Sequence, residues 1–206
     1  MEHPTPPMTP ARSLPSRRAL LTGAAATATA LTPLGATGAH ASAHAAYPPV
    51  HWTPASPANY TAADRPAGYP VQLVVLHVTQ ETYADTVRIF QNPAKKVSAH
   101  YVLRSRDGYI GQCVREQDIA WHAGNWDRNT RSVGIEHEGW VDDPAWFTEA
   151  LYRQSARLTA AVCDRYGIPK DRRHIIGHAE VPGTDHTDPG DYWDWAYYMK
   201  LVAAAP

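Results

Sequence analysis

The sequence predicts a single α/β domain with a central mixed β-sheet flanked by helices. Three observations carry that prediction. Val71-Gln72-Leu73-Val74-Val75-Leu76 is a nearly continuous apolar, β-branched run, the mark of a strand buried on both faces. Arg106-Asp107-Gly108 lies between two strand-like runs, His100 to Arg104 and Tyr109 to Val114, and Asp-Gly in that setting signals a hairpin. From Pro144 to about Tyr166, Trp146, Leu151, Ala156, Leu158 and Val162 fall roughly on one stripe, and Gly167 follows as a left-handed stop. Strands interleaved with helices, plus a hairpin, give a mixed sheet.

The remaining elements follow in order. Residues 1–45 read as an export signal. Arg17-Arg18 precedes an uncharged Ala-, Thr- and Leu-rich run to about Leu34, and Ala-x-Ala forms recur from Ala39 to Ala45. The arginine pair ahead of a weakly hydrophobic stretch has the form of a twin-arginine signal, which implies a secreted or cell-envelope protein. The run falls short of the ~20 residues that span a bilayer, so no permanent membrane anchor is expected. Residues 46–70, rich in Pro, Ala and Tyr, read as an extended lead-in. Residues 71–206 form the body. Within it, Thr82 to about Gln91 reads as a short helix ended by Pro93. Ser132 to Glu138 reads as another strand, and Asp191 to Ala205 as a last helix with Trp195, Tyr198 and Leu201 on one side. Cys113 falls in a strand-like run and Cys163 in a helical one. One disulfide and two buried thiols are both open.

The 206 residues are 44% hydrophobic and 19% charged, with net charge -1. Without Glu2, Arg12, Arg17 and Arg18 of the signal, 16 basic and 19 acidic residues remain, a net of -3. A slightly acidic body excludes the basic face of a nucleic-acid binder. Seven Trp and eleven Tyr against two Phe suit contacts with carbohydrate, although by themselves they are better explained as ordinary core and rim aromatics. The size is that of one domain, and a monomer is expected.

Four segments carry chemistry. His77 sits at the C-terminal end of the first buried strand, and ligands bind at strand ends in open α/β sheets. His178 and Asp188 are separated by a turn-rich loop containing Pro182-Gly183, which can fold back on itself. Two imidazoles and a carboxylate make a three-ligand set that leaves the fourth zinc position open for water. Glu136, on a strand, can act as general base there; Glu138 has the same parity and is not distinguished from it. His186, two residues before Asp188, can donate to a developing oxyanion. Trp121-His122-Ala123-Gly124 offers a ring for a sugar or peptide face, and His122 reads as a fourth ligand or a substrate contact.

These residues resemble the zinc N-acetylmuramoyl-L-alanine amidases of the type shared with phage lysozyme-like amidases and peptidoglycan recognition proteins. The match runs through Val74-Val75-Leu76-His77, then Val97-Ser98-Ala99-His100-Tyr101, then Ala120-Trp121-His122-Ala123-Gly124 with Ser132 to Glu136, and finally Gly177-His178 to Asp188-Pro189-Gly190. The resemblance implies zinc held by His77, His178 and Asp188 at the end of a mixed sheet. It implies Glu136 as catalytic acid/base, His186 at the oxyanion position, and His122, Trp121 and His100 on the substrate side. A Tyr that some relatives use is Ala99 here, which puts weight on Glu136. The implied substrate is peptidoglycan or a muropeptide. The implied reaction cuts the amide between the lactyl group of N-acetylmuramic acid and L-alanine. A non-catalytic peptidoglycan recognition protein is the alternative, and the presence of Asp188 argues against it.

Overall fold

A computed structural model describes residues 46–206; the export signal expected over 1–45 lies outside the described residues. Twelve regular elements follow in order: β1 (His51–Trp52), β2 (Tyr60–Thr61), β3 (Leu73–Val78), α1 (Tyr83–Gln91), β4 (Tyr101–Leu103), β5 (Ile110–Gln112), β6 (Ile119–Ala120), α2 (Trp126–Arg131), β7 (Ser132–His137), α3 (Glu149–Tyr166), β8 (Ile175–Gly177) and α4 (Trp195–Ala204). Six strands form one mixed sheet in the order β1-β5-β4-β7-β3-β8, and β2 pairs with β6 outside it. Only β4–β5, the Asp-Gly hairpin, is antiparallel within the main sheet.

β3 is fully buried along its length, as its apolar run requires. Its parity divides the molecule. Val74 and Leu76 pack with Val133 and Ile135 of β7 under α3 and α4. Leu73 and Val75 face the other side, with Ala123, Ile176 and Val181. α1 covers that second side farther along, where Phe90 meets Val102 and Cys113. Cys113 and Cys163 therefore lie in separate clusters, and both are buried free thiols.

Two helix starts differ from the sequence reading, and β3 lies two residues later than the run Val71 to Leu76, so that it contains His77. Pro144 opens a 3-10 turn, Pro144–Trp146, and not the long helix. α3 starts five residues later because the Thr148 side chain caps it, accepting from the Leu151 amide. α4 likewise begins at Trp195, capped by Asp194. Gly167 stops α3 in the left-handed region, φ 66°. Among the described residues no helix is long and apolar enough to cross a membrane.

Residues 46–70 are woven into the body. β1 adds a parallel edge strand to β5. The buried Arg65 guanidinium donates to the carbonyls of Glu116 and Ser132, both at 2.7 Å. Tyr47, Tyr101 and Tyr166 all donate to the Glu116 carboxylate, which is 4% exposed. A buried carboxylate is tolerated only with such partners. Tyr47→Phe removes one of the three donors. It is expected to cost about 1–3 kcal/mol in urea unfolding, since a hydrogen bond to a charged group is lost.

Candidate metal centre

The parallel β3–β7 ladder pairs His77 directly with Glu136. Both side chains therefore leave the same sheet face, opposite α3 and α4. His178 enters from the 3-10 turn that follows β8. Gly177 lets the later loop approach, because a side-chain carbon there would lie 2.6 Å from Pro189. The Ala179 amide donates to the Asp188 carbonyl at 2.9 Å and ties the loop back. As a result His77, His178 and Asp188, all buried, bring one donor atom each within 4.8 Å of one another.

These donors fit a cation. Asp188 oxygens lie 3.3 Å from His77 Nδ1 and 3.2 Å from His178 Nδ1. Charge-assisted hydrogen bonds are shorter, about 2.7–2.9 Å. His178 Nε2 and Glu136 Oε2 are buried without a hydrogen-bond partner. Burial would push the Asp188 carboxyl up, but the neighbouring imidazoles of His178 and His77 outweigh it and hold it low and ionised. Burial lowers the His77 pKa despite Asp188, which keeps the ring neutral and able to donate a lone pair. Burial, with Asp188 as a smaller cause, raises Glu136 well above the ordinary carboxylate range.

A cleft of about 340 Å³ opens on this group. Glu136, His122 and His186 line it with the three donors, and Ile89, Phe90 and Val97 form an apolar wall. His186 is exposed. Its ring stacks on His178 at 4.0 Å, and its Nδ1 lies 3.4 Å from Asp188. Glu138 is not free: its two carboxylate oxygens accept from the Tyr83 amide at 2.9 Å and the Ser105 amide at 2.7 Å. That separates it from Glu136, which parity could not do. A larger cleft of about 510 Å³ lies around the N-terminal end of β3, lined by Arg128, Arg131 and Arg173 among others, and holds none of these groups.

The structure places the three residues expected on the substrate side differently. His100 is fully buried, with Nδ1 accepting from the Gly134 amide and Nε2 set between the Arg65 guanidinium and the Asp118 carbonyl, so it does not reach the cleft. The Trp121 indole N–H donates to Thr61 of β2 at 3.0 Å, and the ring does not line the cleft. His122 does reach the cleft floor, but both ring nitrogens are engaged, by His77 at 2.9 Å and Ser132 at 3.1 Å. Neither nitrogen is left for a substrate or an ion. Ser132 escaped the sequence reading. Gly134, a glycine inside a strand, was the available sign of a close approach there.

His137 carries a pH dependence. Its ring lies on the α3 side, between the His77 carbonyl at 2.7 Å and Ser155 Oγ at 2.6 Å, and burial lowers its pKa to about 4. Unfolded, the ring takes up a proton near pH 6.5. Between those values the unfolded chain binds more protons, so the stability is present above pH 6.5 and lost as pH falls toward 4. The loss is expected to reach about 3 kcal/mol in urea unfolding of chelated protein. His137→Gln should show a smaller loss; an unchanged slope would refute the assignment.

A sheet-end cleft with a His-His-Asp donor set and an uncommitted carboxylate is the equipment of a metal-dependent hydrolase. Within that class the chain belongs to the N-acetylmuramoyl-L-alanine amidase family, whose model matches residues 67–191. N-acetylmuramoyl-L-alanine amidase A of Achromobacter lyticus is 36% identical over 168 residues, 73% of this chain and 92% of that protein. The crystal structure of a selenomethionine derivative of AmpD superposes with TM-score 0.61 at 30% identity, over 74% of this chain and 94% of that one. AmpDh3 of Pseudomonas aeruginosa, solved in complex with an anhydromuramic pentapeptide, has TM-score 0.55 and 26% identity over 68% of this chain and 62% of that one. The chain is accordingly an amidase, with a site that could bind a metal ion.

Proposed function

We propose that this chain is a zinc hydrolase that cleaves the amide between the lactyl group of N-acetylmuramic acid and the L-alanine of the peptidoglycan stem peptide. The observation that carries the reading is the convergence of His77, His178 and Asp188 beside the unpartnered Glu136 carboxylate, in a chain of the amidase family. His77, His178 and Asp188 would hold the ion, since two imidazoles and one carboxylate leave a coordination position open. Zinc, when bound, supplies the charge that polarises the amide carbonyl and acidifies water to a pKa of about 7.

The chain's own groups do the rest. Glu136 takes the proton of the attacking water and returns it to the amine of L-alanine. Its raised proton affinity suits it to both halves of that transfer. His186, at the mouth of the cleft, donates to the oxygen that gains charge as water adds. Ile89, Phe90 and Val97 keep bulk water off one side of the reacting amide. The substrate is peptidoglycan or a released muropeptide, in keeping with the anhydromuramic pentapeptide held by AmpDh3. In the same reading residues 1–45 are a twin-arginine signal, 46–70 a lead-in and 71–206 the catalytic part. The mature chain is a monomer that acts in the cell envelope or outside it.

Digestion of purified peptidoglycan with and without chelator tests the reading. New L-alanine amino termini, identified by mass, should appear with zinc and vanish with chelator. New reducing sugar ends in their place would show a glycosidase and overturn it.

A further inference from the structure

We propose that Ser132 and His122 fix the tautomer of His77 through a one-way chain of hydrogen bonds anchored on the backbone carbonyl of Arg128. The inference rests on the reading above in one respect, that His77 is a metal ligand.

The direction follows from the carbonyl, which has no hydrogen to give. Ser132 Oγ lies 2.6 Å from the Arg128 carbonyl oxygen and donates to it. That spends its one hydroxyl hydrogen. Toward His122 Nε2, 3.1 Å away, Ser132 can only accept, so His122 carries its hydrogen on Nε2. A neutral imidazole has one N–H, which leaves His122 Nδ1 as a lone pair. His77 Nε2 sits 2.9 Å from that lone pair and donates to it. The hydrogen of His77 is therefore on Nε2. Its Nδ1, 3.3 Å from Asp188, presents a lone pair to the donor group before any ion arrives. The reverse direction would set two oxygens 2.6 Å apart with no hydrogen between them. It would also aim an N–H at the site, which a cation would have to expel.

The sequence prepares the chain. Ser132, Gly134 and Glu136 alternate along β7 and so share one face. Gly134 makes room for the His122 ring, since a side-chain carbon there would lie 2.5 Å from His122 Cγ. Asn129 Oδ1 accepts from the amides of His122 and Ala123 and holds that loop in place. One face of one strand thus supplies the hydroxyl that orients His122, the gap in which His122 lies, and the carboxylate of the cleft. Ser132 and His122 are positioning residues that act through His77.

Long-range proton–nitrogen NMR of histidine-labelled full-length protein reads the tautomers directly. His77 and His122 should both carry the hydrogen on Nε2, in metal-free protein and in zinc-loaded protein. Ser132→Ala should keep its fold by circular dichroism and weaken zinc binding by about 10–100-fold against a competing chelator. His122 with its hydrogen on Nδ1 in the unsubstituted protein, or unchanged zinc affinity in a folded Ser132→Ala, overturns the chain. If Ser132→Ala does not fold, the metal-free spectrum of the unsubstituted protein decides alone. A protein that neither binds zinc nor cuts peptidoglycan overturns the amidase reading instead, and the metal-free tautomers still decide the hydrogen-bond chain.

Discussion

Glu136→Gln is expected to slow cleavage of muropeptide by about 10²–10⁴-fold, the usual contribution of a positioned acid/base. Gln keeps the shape and cannot take a proton. Glu136 sits in register with His77 yet is not one of the three converging donors, so zinc content should stay at the level of the unsubstituted protein. The two readouts together define the role: lost turnover with retained metal. Turnover near that of the unsubstituted enzyme, with zinc fully bound, would falsify the assignment. Because Oε2 already lacks a hydrogen-bond partner, the amide of Gln loses no bond there. The variant is therefore expected to be no less stable than its parent.

Asp188→Ala is expected to abolish both metal binding and cleavage. Asp188 is the one anionic donor of the group and lies beside both imidazoles. Its loss should exceed the roughly 10–100-fold fall in affinity that follows removal of a supporting residue. Calorimetry gives a reading independent of activity. At free zinc of about 100 times Kd, a protein that binds only when folded gains about 2.7 kcal/mol. The unsubstituted chain should show that gain and Asp188→Ala should not. The loop itself should survive, since the bond from the Ala179 amide to residue 188 uses only backbone. Zinc stabilisation of equal size in both proteins would move the site elsewhere.

Much of the framework could be read in the sequence because it follows from local rules. The β3 run, the Asp-Gly hairpin and the Gly167 stop each depend on a few neighbouring residues; the hairpin and the stop lie where expected, and β3 lies two residues later. The start of α3 was misread because the apolar stripe continues through a 3-10 turn; the Thr148 cap was the better signal. In the site, His77, His178 and Asp188 come together as the loop between the last two would suggest. The surroundings of His100, Trp121 and His122 were not legible, for a common reason. Their residue types suit ligand contact, but each is committed to a partner distant in sequence: Arg65, Thr61 and His77. Nothing local announces such partners. The engagement of Glu138 by the amides of Tyr83 and Ser105, which leaves Glu136 as the carboxylate of the cleft, was likewise not announced by strand parity.

The register of β3 against β7 has a consequence for how this enzyme can vary. The spacing between His77 and Glu136 belongs to the sheet ladder and not to any loop. A slip of one residue would turn Glu136 to the opposite face and set His137 into the cleft. Partial error is thus not available to this pair, which is either aligned or lost along with the central strands. His186 stands on the exposed loop outside that ladder. The 181–187 loop can therefore change without disturbing the distance between Glu136 and His77, which the sheet alone sets.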